Sequence, residues 1–138
     1  LQRRWSGPKL SQKGWNMKNR QTDLITELTK RFIDEIQKLE PAFVQAFFRF
    51  YSEERMYESC SSYTTVSDVH IISALMQDEF FDEMNNICVE LLTGMDKNPA
   101  LLLLTIDKDL DYEIKFEYED MEKWRISLAD GGTGTPTE

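Results

Sequence analysis

Apolar residues recur at three- and four-residue intervals from Thr22 to Leu39, and charged residues occupy the positions between them. This spacing predicts an amphipathic helix that covers a core. Thr22 is the predicted N-cap, and Asp23 lies in the first turn, where the helix dipole favours an acid. Pro41 disfavours the helical conformation at Glu40, so the helix is predicted to end there. The apolar stripe consists of Leu24, Ile25, Leu28, Phe32, Ile36 and Leu39.

A second helical pattern extends from Ser73 to Thr93 and is followed by Gly94, a residue suited to a left-handed C-cap. Asn98 and Pro99 separate this helix from the next element. The outer side of the helix is strongly acidic, whereas its inner stripe is apolar. The stripe consists of Met76, Phe80, Phe81, Met84, Ile87, Cys88, Leu91 and Leu92.

Alternating side chains predict two hairpins. In residues 42–52 one set of alternate positions is wholly apolar and the other is mixed, which favours a strand. A helix stays open there, because neither Gly nor Pro marks the turn predicted at 53–55. A return strand is predicted at 56–65. Residues 100–106 predict a central strand, and a turn at 107–111 leads to residues 112–119, where aromatic or apolar positions alternate strictly with charged, mostly acidic ones.

The predicted fold class is α+β, with antiparallel strands in one sheet and the helices packed on it. The chain has 138 residues, of which 41% are hydrophobic and 12% aromatic, enough for one core. Residues 17–128 are predicted to form a single domain. Residues 1–16 lack acids and periodicity, and they predict a basic non-domain segment, either a remnant or upstream read-through; a basic arm for RNA or acidic lipid is the alternative. Residues 129–138 predict a flexible tail, although the short segment 125–128 before it is able to pack.

Composition excludes several kinds of site. The single histidine, His70, and the two cysteines, Cys60 and Cys88, are too few for a Cys₄ or Cys₂His₂ zinc site and are not spaced as a redox pair. No secretory signal is recognisable in residues 1–16, so the chain is predicted to be cytoplasmic, with both cysteines reduced and packed in or near the core. The longest apolar run, 100–104, is too short to span a membrane.

Asp107, Asp109 and Asp111 have the alternate spacing of a calcium loop. Tyr112 occupies the position that requires Gly, and Tyr118 the position that requires a bidentate Glu, so the pattern favours a solvated turn, with partner contact as the second interpretation.

No carboxylate pair is accompanied by the histidine or Gly-rich loop that catalysis would need. His70 lies between apolar residues and is predicted to be structural, and the Gly-rich stretch 131–134 lacks the lysine of a phosphate-binding loop. We therefore predict no enzyme activity, no catalytic residue, no cofactor and no metal.

Charge is the most distinctive property of the sequence. The net charge is −9, and residues 53–122 carry 18 acidic against four basic residues, a net charge of −14. Such a field repels nucleic acid and steers basic proteins toward the chain. A role in solubility alone is the alternative.

The order of helix, aromatic hairpin and acidic helix, followed by Leu101–Ile106 and Tyr112–Asp120, resembles the YezG-like family of immunity proteins, which partner secreted bacterial nuclease toxins. The layout of residues 22–122 carries the resemblance. At the level of residues it is confined to Tyr112–Asp120, which resembles the family's tyrosine-rich strand ending in Tyr-Glu-Asp. The basic N-terminal segment, residues 56–72 and the Gly/Thr tail depart from the family pattern. The resemblance implies inhibition by occlusion, with an acidic surface that mimics a phosphate backbone and with no catalytic residues.

Charge and resemblance together lead to the hypothesis of a non-catalytic immunity protein, or antitoxin, that binds the C-terminal domain of a cognate toxin in interbacterial competition. The alternative is an acidic adaptor or regulatory domain that binds a basic host protein. The predicted contacts are Glu79, Asp82, Glu83 and Glu90 on the helix, Asp107, Asp109 and Asp111 in the turn, and Glu113, Glu117 and Glu119 on the last strand.

Overall fold

The computed structural model describes residues 12–129 and 131–136, with side chains described from residue 19 onward. It confirms the predicted α+β class, because two helices pack on a single antiparallel sheet whose strand order is β3-β2-β1-β4-β5. The elements are α1 (Gln12–Leu39), β1 (Gln45–Glu53), β2 (Met56–Thr64), β3 (Val69–Ile71), α2 (Asp78–Gly94), β4 (Ala100–Asp107) and β5 (Tyr112–Glu117).

Helix α1 ends at Leu39, as predicted, but its predicted start at Thr22 is wrong because the helix already begins at Gln12. No proline interrupts residues 12–21, and one interior glycine costs a helix only about 1 kcal/mol. The helix that packs from residue 22 onward can therefore continue upstream through these residues. The helix therefore crosses the boundary predicted at residue 16, while residues 1–11 of the predicted non-domain segment lie outside the described residues. Leu24, Leu28, Phe32 and Ile36 are buried, as predicted.

Strand β1 settles the choice left open for residues 42–52: the segment is a strand, although it begins at Gln45. Its alternate residues Ala46, Phe48 and Phe50 are buried beneath the helices. A two-residue turn at Glu54 and Arg55 leads into β2, in the predicted position. Glu54 has a φ of 55°, a conformation in which hairpins usually place glycine. Glu54 thus holds the turn position at which a glycine would have marked the hairpin in the sequence.

The region before α2 differs most from its prediction. Strand β3 was not predicted, and α2 begins at Asp78 rather than Ser73. Met76, predicted to belong to the apolar stripe, is exposed in the turn that crosses from the sheet edge to the helix layer. The cause is tertiary, because β3 pairs with β2 and the N–H of Ile72 donates to the carbonyl of Ser61, which holds this segment in the sheet.

The end of α2 also corrects a prediction, since Gly94 is the last helical residue and is not left-handed. Asp96 takes that conformation, with a φ of 55°. The N–H groups of Asp96 and Lys97 donate to the carbonyls of Thr93 and Leu92, which is the Schellman arrangement with Asp96 in the position usually held by glycine.

The sheet is covered on both faces. The helices cover one face and form the main core with β1, β4 and β5. On the other face, Trp124 and Ile126 pack on Phe47, Leu101 and Leu103. The prediction that residues 125–128 are able to pack is therefore confirmed for Ile126, whereas Leu128 is exposed.

Buried Arg49 holds the segment that contains Trp124 and Ile126 against the sheet. Its Nε donates to the Lys123 carbonyl over 2.8 Å, and its Nη2 donates to the Met121 carbonyl over 2.7 Å. Burial lowers the pKa of this guanidinium.

In the described part of the predicted tail, residues 131–136, Gly134 is buried against the domain. The N–H of Gly134 donates to the carbonyl of Ser127 over 2.9 Å. A Cβ on Gly134 would stand 2.8 Å from Cγ1 of Val69 and 3.0 Å from Cδ2 of Leu128, so the close approach and the φ of 82° both require glycine there. This packing was not predicted from the Gly- and Thr-rich composition.

Candidate partner-binding surface

Two of the predicted contact acids hold the helices together. Arg20 forms a two-point ion pair with Glu90, with Nε–Oε2 and Nη2–Oε1 distances of 2.8 and 2.9 Å. The hydrogen bond from Arg20 keeps the pKa of Glu90 below its ordinary value. Arg31 donates from Nε to Oε1 of Glu83 over 3.1 Å and from Nη1 to Oε1 of the buried Glu35 over 2.9 Å. Glu83 and Glu90 therefore face α1.

Two more of the predicted acids organise turns. Oδ1 of Asp107 accepts the N–H groups of Asp109 and Asp111 over 2.9 and 3.1 Å, so this carboxylate shapes the β4–β5 turn and is not presented as a calcium ligand. Glu117 accepts the N–H groups of Asp120 and Glu119 over 3.0 and 3.1 Å.

Lys123 also pairs with Glu117, with an Nζ–Oε1 distance of 3.1 Å. The Asp120 N–H, followed by Lys123, holds the pKa of Glu117 below its ordinary value. Glu117 therefore stabilises the chain reversal after β5.

The remaining predicted acids are exposed, and the structure places them in two separate groups. Glu79 and Asp82 lie on the outer side of α2. The second group lies along the edge strand β5. This strand is about 20 Å long, so the acids before it and the acid after it lie at opposite ends of the strand. Within that group, Oε1 of Glu113 lies 4.0 Å from Nζ of Lys115. The second group consists of Asp109, Asp111, Glu113 and Glu119.

A groove lies between the β1–β2 turn and the C-terminal end of α2. It encloses about 330 Å³. Met56, Tyr57 and Val89 line it and are 56%, 47% and 39% exposed, which is unusual for side chains of this size. We call this cavity the α2 groove. Sequence reasoning missed it, because Met56 and Tyr57 are ordinary strand residues and Val89 is remote from them in the sequence.

Contacts within the protein fix the walls of the α2 groove. The Tyr57 ring stacks on that of Phe50, with the centroids 5.6 Å apart. The N–H of Glu54 donates to Oδ1 of Asn98 over 2.8 Å, which ties the turn to the segment after α2. Leu92 lines the groove from α2 and is buried.

Charged groups of both signs flank the α2 groove. Glu54, Arg55, Asp96 and Lys97 line it. The ammonium of Lys97 lies 4.8 Å from the ring centroid of Tyr118, a cation–π contact that directs this charge toward the aromatic ring. Glu58 does not belong to this rim, because it lines a separate pocket with Arg49 and Cys60 on the other face of the sheet. Glu79 and Asp82 lie at the N-terminal end of α2, away from the groove.

The two cysteines are buried or half-buried, and the single histidine is exposed. Cys88 is fully buried and Cys60 is half-buried, and burial raises the pKa of both thiols. Neither is therefore prepared as a thiolate nucleophile. His70 lies at the sheet edge and stacks on Tyr63, with the ring centroids 5.0 Å apart. Within the described ranges, no three His, Cys, Asp or Glu side chains are grouped to hold a metal ion.

The helices that the structure describes include none with the length and apolar character needed to cross a membrane. No family model matches the chain, and no curated protein matches it.

Proposed function

We propose that this chain is an immunity protein that binds a bacterial toxin in the cytoplasm and neutralises it without catalysis. The toxin is proposed to be a nuclease with a basic active-site surface. One observation carries the proposal: a strongly acidic chain presents a groove that is lined by exposed apolar side chains and has charged residues at its rim. An apolar centre with a charged rim is the usual anatomy of a specific protein interface.

Electrostatics supplies the inhibitory mechanism. A nuclease holds its substrate through cations that contact phosphates, so an acidic protein seated there competes for the same charges. The net charge of −9 also accelerates the encounter with a basic partner. The carboxylates of Glu79 and Asp82 are carried on a helix that ion pairs fix to α1, so little order has to be gained on binding. Occlusion of this kind needs no cofactor and no metal.

Calorimetry tests the proposal directly. The full chain is titrated with the C-terminal domain of the protein encoded immediately upstream, at low and at moderate salt. We expect one-to-one binding whose Kd rises about tenfold or more with salt, because exposed charges are screened within about 10 Å at 0.1 M. No detectable heat at either salt, with both proteins folded by circular dichroism, would contradict the proposal.

A pair of charge-reversal variants distinguishes the two acidic groups. Glu79→Lys with Asp82→Lys is expected to weaken binding strongly, whereas Asp109→Lys with Asp111→Lys makes the same change of charge on the β4–β5 turn and is the matched control. All four side chains are exposed, so both variants should fold. Equal weakening by the two variants would show that only the overall charge matters and that α2 is not the contact surface.

A further inference from the structure

We propose that two copies of this chain pair along the outer edge of β5, so that their two sheets join into one. In the described part of the chain, β5 is the end strand of the sheet, because it pairs with β4 on one side and with no strand on the other. An end strand presents backbone donors and acceptors that a further strand can use. The inference does not depend on the proposed function, since it concerns only the assembly of this chain.

The ladder between β4 and β5 shows which backbone groups point away from the sheet. The N–H of Asp107 donates to the carbonyl of Asp111 over 3.0 Å, so these residues form a hydrogen-bonded pair where the hairpin closes. Such pairs alternate with non-hydrogen-bonded pairs along an antiparallel ladder. Two residues further on, Glu113 is paired with Thr105 and therefore turns its N–H and carbonyl toward β4. The residues whose backbone groups point outward are Tyr112, Ile114 and Phe116.

A two-fold axis through Ile114 gives a register in which the two edges match. An axis perpendicular to the sheet places each residue opposite one on the same face. Ile114 then exchanges hydrogen bonds with Ile114 of the second copy, and Tyr112 does so with Phe116. Between these pairs, Glu113 lies opposite Lys115 of the second copy and Lys115 lies opposite Glu113. These are the closer, non-hydrogen-bonded pairs, with Cβ atoms about 4.5–5.5 Å apart.

The neighbouring registers bring like charges together. With the axis through Glu113, that acid lies opposite itself. With the axis through Lys115, the lysine lies opposite itself and Glu113 lies opposite Glu117. Like charges directly opposite destabilise a strand pair, whereas unlike charges stabilise it. A lysine on an edge strand discourages pairing with most other strands, but in the register centred on Ile114 each lysine meets an acid. Charge complementarity therefore favours a second copy of this chain as the occupant of the edge.

Both faces of the joined strands are self-complementary. On the helix side, Tyr112, Ile114 and Phe116 pack against the main core but are only half-buried, and pairing covers them further. On the other face, the side chains of Glu113 and Lys115 are 67% and 35% exposed, with 4.0 Å between Oε1 and Nζ. Pairing brings four charges of alternating sign together there.

The expected dimer is weak and reversible. One pair of six-residue strands makes a small contact, and interfaces below about 1,200 Å² are mostly transient. The net charge of −9 on each copy opposes association. Salt at about 0.15 M screens this general repulsion beyond about 8 Å and affects directly opposed pairs less. We expect a Kd of roughly 10–100 µM under these conditions.

Sedimentation equilibrium of the full chain and of two charge variants tests the inference. Glu113→Lys and Lys115→Glu each place four like charges at the centre of the pair, so each should raise the Kd about tenfold or more. An equimolar mixture of the two variants should associate as a heterodimer, because every lysine then meets an acid. Arg55→Glu is the matched control, since it makes the same change of charge as Lys115→Glu at an exposed position in the β1–β2 turn. It should change the Kd by less than about twofold.

Amide exchange of the wild-type chain, followed by NMR, is a second measurement that does not depend on the folding of any variant. The N–H of Ile114 should exchange more slowly as the concentration rises, because it is hydrogen-bonded only in the dimer. The inference is overturned if the wild-type chain stays monomeric up to about 500 µM, well above the expected Kd. A dimer that neither single variant weakens, or a mixture of folded variants that associates no better than each alone, would also overturn it. Protection of Ile114 only when the toxin domain is added would assign the edge to that partner instead.

Discussion

Replacing Arg31 by methionine is expected to lower the free energy of unfolding by about 2–3 kcal/mol. Arg31 is 21% exposed and pairs with Glu35, whose side chain is only 4% exposed, so the variant leaves a buried carboxylate without its partner. Breaking a fully buried pair costs about 3–5 kcal/mol, and the partial exposure of Arg31 places this pair at or below the lower end. Methionine keeps apolar contact with Phe80, over whose ring the guanidinium lies.

Urea unfolding followed by circular dichroism measures the effect. Glu83→Gln removes the other acid that Arg31 contacts, but Glu83 is 49% exposed, and the loss should stay below about 1 kcal/mol. Arg31→Met combined with Glu35→Leu removes both buried charges and should return to within about 1 kcal/mol of the wild type. The reasoning is refuted if Arg31→Met alone costs no more than Glu83→Gln, or if the second substitution fails to restore stability.

Three further predictions follow from local geometry. Glu54→Gly should raise the free energy of unfolding by about 1 kcal/mol because it relieves a left-handed conformation, whereas Arg55→Gly, at a position without positive φ, should lower it; urea midpoints compare the two. The pKa of Glu117 is depressed in the folded state, so its stabilising effect is present above its ordinary value of 4.5 and is lost as the pH falls through the lower folded value. Glu117→Gln should therefore destabilise the protein at pH 7, and its difference from the wild type in thermal melts should shrink as the pH is lowered below 4.5. A thiol reagent should modify Cys60 slowly and Cys88 only on unfolding, because burial raises both pKa values; rapid native labelling of Cys88 would contradict its placement.

The elements that could be predicted from sequence are those with one buried face. The stripe of α1 and the alternation of β5 repeat with the period of their own backbone, so the pattern identifies them. Strand β3 has only three residues and owes its existence to pairing with β2, which local sequence does not encode. The start of α2 was misplaced for the same reason, since Met76 has the right spacing but lies in the crossing turn.

The roles of individual acids could not be predicted without knowing how the two helices pack. Acids on α2 have similar sequence surroundings, yet Glu83 and Glu90 face α1 whereas Glu79 and Asp82 face outward. A signal was available in the sequence, because Arg20 and Arg31 on α1 pair with these acids in reverse order, as antiparallel helices require. The α2 groove offered no such signal, since its lining comes from a hairpin and a helix that are distant in the chain.

A titration of the toxin's nuclease activity with this chain tests the central claim most directly, because occlusion predicts stoichiometric inhibition. The nuclease activity of the upstream-encoded toxin domain would be measured while the full chain is added up to one equivalent. The immunity hypothesis predicts that activity falls linearly and is abolished near one equivalent, and that Glu79→Lys with Asp82→Lys restores much of it. Full nuclease activity in the presence of a bound, folded chain would contradict occlusion and would favour an adaptor that binds without blocking the active site.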